Sequence, residues 1–179
     1  MILISTSRRP TSRIRSFSRD LNRVLPNCVY VNRGKQNIAG VIENARTNSA
    51  DKVILVERWK GGVGRLRFYY VSSNAFTVTP PLLILRSVKT QVDFGRKRRV
   101  GRKIGFTLLT PMSKNDEKLL QFLVHFFQIP LQIESMVKTD YSAALSLSSL
   151  PDGDIRLTVT APPMICEVGP RINIKKVVW

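Results

Sequence analysis

The chain has 179 residues, which suits one domain or two small domains sharing a core. Apolar residues make up 43% of it, enough to bury a core and too many for a disordered tail. The 29 Lys and Arg residues exceed the 12 Asp and Glu residues by 17, so the expected partner is a polyanion, with nucleic acid ahead of an anionic membrane surface.

Targeting and cysteine patterns place the chain inside the cell. No apolar run approaches the ~18 residues of a membrane span, and the order of apolar and basic residues at the start is the reverse of a signal peptide. We therefore expect a soluble cytoplasmic protein. Cys28 and Cys166 are expected to be buried free thiols, with a disulfide between them left open.

The first elements follow a β-α-β-α-β order. An apolar run over residues 1–5 predicts a buried strand, and Ile14, Phe17 and Leu21 recur at helical spacing within residues 11–25. The remaining elements are strands at 28–31 and 52–58 and a helix near 36–48. This order favours parallel strands covered by helices.

An antiparallel pattern follows. After a glycine-rich turn at residues 60–64, apolar residues alternate with Arg65, Arg67 and Tyr69, which predicts a hairpin strand. Two placements of Tyr69 stay open: an exposed ring that stacks on a base, or half-buried packing. Further strand material is predicted at residues 76–78 and 82–88.

The second half partly repeats this order. A strand is predicted at residues 103–110, followed by helix-start signals and an amphipathic helix that ends near 129–130. Strands at 141–148, 154–160 and 172–178 follow, with a hairpin turn at 151–154. We predict an α/β fold of two similar halves, residues 1–90 and 91–179, for which an old duplication is one origin.

The sequence contains few of the residue patterns that catalytic and metal-binding sites use. His125 is the only histidine, and its very apolar helix favours a packed or snorkelling core position over a catalytic or metal-binding role. The chain has no GxxxxGK[ST] phosphate loop, and residues 5–9 read Ser-Thr-Ser-Arg-Arg where a dinucleotide-binding fold would place glycines. Its three Cys and His residues lack zinc-ligand spacing. We therefore expect no enzyme, no metal and no cofactor.

The basic residues near the start fit phosphate binding. Hydroxyl and N–H groups of residues 5–7 precede a helix N-terminus, where the helix dipole favours anions, and Arg8 and Arg9 add bidentate donors. On the helix, three arginines spaced i, i+4, i+8 form a ridge with no balancing Glu at that spacing. This helix ridge consists of Arg15, Arg19 and Arg23. A solvated helix face is the alternative to an RNA-binding ridge.

A second basic cluster joins the two halves. Six of its eight residues are basic: Arg96, Lys97, Arg98, Arg99, Arg102 and Lys103. Interleaved glycines suit an arm that becomes ordered on RNA, and a flexible linker that happens to be basic is the alternative.

Two segments resemble the signature motifs of the Brix domain family. The run ILISTSRRPTSRIRSFSRDLNRVLPN at residues 2–27 resembles the opening motif, and the run EVGPRINIK at residues 167–175 resembles the closing motif. The motifs occur in the right order and bracket nearly the whole chain. The similarity is greatest to archaeal single-domain members and to the eukaryotic small-subunit processome member.

This resemblance implies a ribosome-biogenesis factor that binds ribosomal RNA precursors and assembly proteins and has no catalytic residues. It also implies one Brix domain over residues 1–179, with two α/β halves that each resemble the anticodon-binding domain of class II aminoacyl-tRNA synthetases. In the closing motif, Gly169 and Pro170 fix a turn, and Arg171 is either salt-bridged internally or touches RNA.

Together, these observations predict an RNA-binding ribosome-biogenesis factor that acts in pre-rRNA processing and assembly, cytoplasmic or, in a eukaryote, nucleolar. The predicted RNA-binding residues are Ser7, Arg8, Arg9, Arg13, Arg15, Arg19, Arg23, Arg33, Lys35, Arg96, Lys97, Arg98, Arg99, Arg102, Lys103 and Arg171. The alternatives are a stand-alone anticodon-domain-like module that binds tRNA, an RNA-modifying enzyme and a permanent ribosomal protein.

Overall fold

A computed structural model describes residues 1–95, 104–108, 114–132, 143–161 and 166–179. The first half comprises β1 (Ile2–Thr6), α1 (Ser12–Val24), β2 (Cys28–Tyr30), α2 (Ile38–Thr47), β3 (Lys52–Trp59), β4 (Gly62–Val71), β5 (Phe76–Lys89) and a 3-10 turn (Gln91–Phe94). The second half comprises β6 (Ile104–Leu108), α3 (Lys114–Phe127), β7 (Leu131–Gln132), β8 (Ala143–Ser149), β9 (Ile155–Ala161), β10 (Cys166–Glu167) and β11 (Arg171–Val178). The predicted mixed α/β fold is confirmed.

The parallel part of the sheet is built around β1. This strand pairs in parallel with β2 on one side and with β3 on the other. Ile2 and Ile4 join the core beneath α1, while Leu3 joins a second cluster beneath α2. Because both faces are covered, the strand is a continuous apolar run rather than an alternating one.

The antiparallel part continues through β4 and β5. One strand, β5, runs where the sequence predicted two separate stretches, and it contains Pro80 and Pro81. The β4–β5 register shifts between Leu66 and Phe68, opposite the prolines. Proline cannot donate to a ladder and is tolerated at such an irregularity, which explains why the strand continues past both residues.

The pairing pattern of the second half matches that of the first. Strand β6 pairs in parallel with β7 and β8, and β9 and β11 then follow antiparallel. The halves join where β11 pairs with β5, so the order within the described residues is β2-β1-β3-β4-β5-β11-β9-β8-β6-β7. Strand β10 lies off this path, paired with β9.

One hydrophobic core extends through both halves. It contains Phe17 and Leu21 of α1 together with Leu123 and Phe126 of α3. The ring of Phe68 in β4 makes an edge contact with the Phe126 ring at 5.0 Å between centroids. Edge-to-face packing of this kind adds about 0.5–1.5 kcal/mol beyond burial, so α3 is anchored on the first half of the sheet.

Four side chains differ from the expectations or settle an alternative. His125 is exposed on α3, because the neighbouring Phe126 and Phe127 take the core positions; the core assignment was wrong. Tyr69 is buried beneath α2, so it is no exposed stacking ring. Cys28 and Cys166 are free and only partly buried, and burial raises the pKa of the Cys28 thiol to about 12.

Candidate nucleic-acid interface

Three loops converge at one edge of the sheet. The parallel strands β1, β2 and β3 point the same way, and the crevice outside their carboxyl ends is the usual ligand site of open α/β sheets. Helices α1 and α2 start from the first two loops. Thr11 caps α1 by accepting from the Ile14 N–H at 3.3 Å, and Asn37 caps α2 by accepting from the Gly40 N–H at 2.9 Å. Both helix N-termini therefore face this edge, and neither has an acidic residue in its first turn.

Two arginines from different loops meet at one carbonyl group. The Gln36 carbonyl oxygen accepts from Arg8 Nε at 3.4 Å and from Arg33 Nε at 3.0 Å. The Nη1 atom of Arg33 also approaches the Thr6 carbonyl oxygen at 3.4 Å. These bonds hold the loop after β1 against the loop after β2 and fix two guanidinium groups side by side.

The third loop joins the same edge through Ser7. Its Oγ accepts from the backbone N–H of Arg58 at 3.1 Å, and its own N–H donates to the Val56 carbonyl oxygen at 2.8 Å. The end of β3 is thereby fixed beside the loop after β1. Arg58 and Lys60, both exposed, come directly from this end.

The resulting cluster, called the basic edge below, has six cationic side chains. They are Arg8, Arg9, Arg33, Lys35, Arg58 and Lys60. Within the described residues, none of the six forms an ion pair with a carboxylate, and nearby Glu57 is already paired with Arg67 at 3.1 Å. Partial burial and the neighbouring Arg8 guanidinium both lower the pKa of Arg33. The edge therefore carries uncompensated positive charge that an anion would relieve.

Four of these six residues were predicted from the sequence, and two were missed. Arg58 and Lys60 fall in the stretch interpreted only as the end of a strand and a glycine-rich turn. The signal was available: a third parallel strand ends at the same edge as the first two, so cations directly after it belong to the same cluster.

The helix ridge is partly engaged by the protein itself. Arg15 donates to the Pro10 carbonyl oxygen at 2.8 Å, and the Arg19 guanidinium lies over the Tyr30 ring at 5.9 Å. Arg23 pairs with Asp20 at 3.2 Å, an i, i+3 partner that a search at i+4 spacing does not find. Arg19 and Arg23 remain exposed. The prediction that this ridge binds RNA stays a prediction.

Arg13 lies on a different side of α1. Its Nη2 atom donates to the Val88 carbonyl oxygen at 2.8 Å and to Asp93 Oδ2 at 3.0 Å. Asp20 Oδ2 accepts from the Gln91 N–H at 2.9 Å nearby. These bonds hold α1 against the segment that leads into the second half, so Arg13 has a structural task whether or not it also binds RNA.

The closing motif carries a similar internal pairing. Arg171 donates from Nε to Glu167 Oε1 at 2.7 Å, with a second bond from Nη2 to Glu167 Oε2, and its guanidinium lies over the Phe94 ring at 5.4 Å. Of the two alternatives for Arg171, the structure contains the internal salt bridge. The predicted residues Arg96, Lys97, Arg98, Arg99, Arg102 and Lys103 lie outside the described residues.

The described part of the chain contains neither a membrane-spanning helix nor a metal-binding cluster. No helix there is long and apolar enough to cross a membrane. No group of three or more His, Cys, Asp or Glu side chains there is arranged to hold a metal ion.

Comparisons with known proteins agree with the motifs. No family model matches the chain. A probable Brix domain-containing ribosomal biogenesis protein of Pyrococcus horikoshii is 37% identical over 97 residues, which cover 54% of this chain and 43% of that protein. One of Methanococcus maripaludis is 26% identical over 98% of this chain and 96% of its own length. The U3 small nucleolar ribonucleoprotein protein IMP4 of Rattus norvegicus is 24% identical over 97% of this chain and 58% of its own length.

A solved structure supports the same fold. The crystal structure of a probable ribosomal biogenesis protein from Aeropyrum pernix superimposes with a TM-score of 0.80 at 23% identity, covering 99% of this chain and 98% of the other. The resemblance to Brix domain proteins inferred from the terminal motifs is confirmed. The match to the Pyrococcus protein spans less than half of that relative's length.

Proposed function

We propose that this relative of the Brix domain-containing ribosomal biogenesis proteins binds ribosomal RNA or its precursor and acts in pre-rRNA processing and assembly. The observation that carries the proposal is the basic edge, where six cations, none of them ion-paired within the described residues, lie on the loops beside two helix N-termini. Relatives named as ribosomal biogenesis proteins and as a U3 ribonucleoprotein component favour ribosomal RNA among polyanions.

The basic edge suits a phosphate backbone better than a small anion. A single phosphate is satisfied by one helix N-terminus and one or two cations. Here the cations extend over three successive loops, so they can bind several neighbouring phosphates of one RNA strand at the same time. Such contacts supply affinity and orientation without reading sequence, which suits a factor that holds RNA during assembly.

The second part of the proposal concerns domain organisation. We infer that residues 1–90 and 91–179 are two related halves of one Brix domain, each similar to an anticodon-binding domain. The repeated order of parallel and antiparallel pairing supports a duplication. The shared core indicates that the halves fold as one unit rather than as independent domains.

The proposal assigns no catalytic role, metal or cofactor to the chain. It places the chain where ribosomal RNA precursors are handled, in the cytoplasm or, in a eukaryote, in the nucleolus. Other ribosome-assembly proteins are proposed as further partners, in keeping with the U3 ribonucleoprotein name of one relative.

Crosslinking in cells followed by sequencing of the recovered RNA tests the function. We expect precursor ribosomal RNA, and we expect its recovery to fall when Arg8, Arg33 and Arg58 are replaced by glutamate. Recovery of tRNA instead would favour the anticodon-domain-like alternative. Equal recovery by the native and substituted chains would show that the basic edge is not the RNA-binding surface.

A further inference from the structure

The tip of the β3–β4 hairpin carries an exposed aromatic ring next to the basic edge. Trp59, the last residue of β3, is 50% exposed, whereas Phe17, Phe68 and Tyr69 of the first half are buried. The turn after it contains Lys60 and Gly61, both in left-handed backbone conformation. The ring is therefore exposed to solvent at the end of the antiparallel β3–β4 ladder.

The local structure holds this ring in place. The Arg65 guanidinium lies over the indole at 4.1 Å from its centroid. An added Cβ at Gly64 would come within 2.1 Å of the Trp59 Cβ, so only glycine permits the side chain to lie across β4. The register shift between Glu57 and Arg58 supplies the extra residue that makes this crossing possible.

The surroundings of the ring are cationic rather than apolar. Arg58 and Lys60 flank it along the chain, and Arg65 lies against it. Glu57, the carboxylate of this hairpin, is half-buried and paired with Arg67. A protein-docking patch needs a contiguous apolar area of at least a few hundred Å², and a single indole surrounded by cations does not provide one. A flat aromatic face beside phosphate-binding cations is the arrangement used for unpaired nucleotides.

We propose that the Trp59 indole is a stacking platform for an unpaired base of the bound RNA. This inference rests on the proposed function. It adds base stacking at Trp59 to phosphate binding at the basic edge, so the combined site should prefer single-stranded over double-stranded RNA. The cations of the edge hold the phosphates, and the base of a nucleotide lying at the hairpin tip stacks on the exposed part of the ring. Arg65 keeps the ring oriented from its own side.

Fluorescence tests the stacking directly. The chain has two tryptophans, so Trp179→Phe leaves Trp59 as the only indole emitter. We expect a single-stranded oligoadenylate of about 12 nucleotides to quench this emission on binding, and an RNA duplex of similar charge to bind without quenching. Equal quenching by both RNAs, or none by either when both bind, would overturn the inference.

Substitution at Trp59 gives the matched comparison. Trp59→Ala should weaken oligoadenylate binding about 5- to 150-fold, the range measured for loss of one stacked base, and leave duplex binding unchanged. Trp59→Phe, which keeps a stacking ring, should retain most of the affinity. Circular dichroism and thermal melting show whether each variant folds; if the alanine variant does not, the Trp179→Phe titration decides alone.

The outcomes separate the two proposals. If alanine and phenylalanine variants bind oligoadenylate like the native chain while charge removal at the basic edge weakens it, the stacking site is wrong and the RNA-binding function stands. If neither RNA binds even at low salt, both proposals fail.

Discussion

The salt dependence of RNA binding is the sharpest test of the basic edge. If all six cations contact phosphates of a single strand, the slope of log K against log[salt] is about −4.2, since each contact contributes about −0.7. Raising salt from 50 to 200 mM should then weaken binding about 300-fold. Replacing Arg8, Lys35 and Lys60 with alanine should reduce the slope to about −2.1 and the loss to about 20-fold.

The three side chains are suitable because all are exposed and none is ion-paired within the described residues. Their replacement should change the free energy of unfolding by no more than about 0.5 kcal/mol for each lysine and by no more than about 1 kcal/mol for Arg8, which loses its bond to the Gln36 carbonyl. Fluorescence anisotropy with a labelled single strand over a series of KCl concentrations gives the slope.

A matched variant removes the same charge elsewhere. Lys118, Lys175 and Lys176 are exposed on α3 and β11, outside the three loops that form the basic edge. Their replacement by alanine should leave the slope near its native value. If both triple variants reduce the slope equally, binding reflects net charge alone and the geometric argument for the edge is refuted.

Two further predictions concern stability. Gly64→Ala should destabilise the fold by about 1–3 kcal/mol in urea unfolding, because the new Cβ would collide with Trp59; a change below about 0.5 kcal/mol would show that the hairpin adapts freely. Asp93 accepts from the Thr90 N–H, which holds the pKa of Asp93 below its usual 3.8. The ionised Asp93 carboxylate therefore stabilises the fold at pH values above 3.8, the pKa of the group in the unfolded chain. This contribution disappears as the pH falls through the lower pKa of the folded protein. The stability difference between native and Asp93→Asn should thus shrink from about pH 5 to pH 2 in thermal melts, and a constant difference would contradict this assignment.

Periodicity was enough to predict most of the first half. The apolar spacing of α1 reflects a single buried stripe, and the structure has the helix at Ser12–Val24 against the predicted 11–25. The alternation after residue 64 likewise identified β4. In both cases, the signal is local because a helix or a strand buries one face with a fixed repeat.

The candidate site was less accessible from the sequence, because it is made by contacts between distant segments. Arg8 and Arg33 were predicted, but their convergence on the Gln36 carbonyl depends on the parallel register of β1 and β2. Trp59 was not singled out, because it falls between the predicted strand at 52–58 and the predicted glycine-rich turn at 60–64. The bulge at Gly64 and the 50% exposure of Trp59 show that the ring lies outside the core.

The two halves differ in charge where their topology is the same. Helix α3 follows β6 as α1 follows β1, yet α3 has Asp116 and Glu117 in its first turn, where α1 has no acidic residue. Carboxylates at a helix N-terminus satisfy the same dipole that would otherwise attract a phosphate. Ser149 at the end of β8 donates to Asp116 at 2.8 Å, which engages that carboxylate within the fold. The same pairing pattern therefore supports an edge that attracts anions in the first half, whereas in the second half the helix start carries its own carboxylates. The net charges agree with this difference. They are +12 over residues 1–90, with 16 basic and 4 acidic residues, and +5 over residues 91–179, with 13 basic and 8 acidic residues.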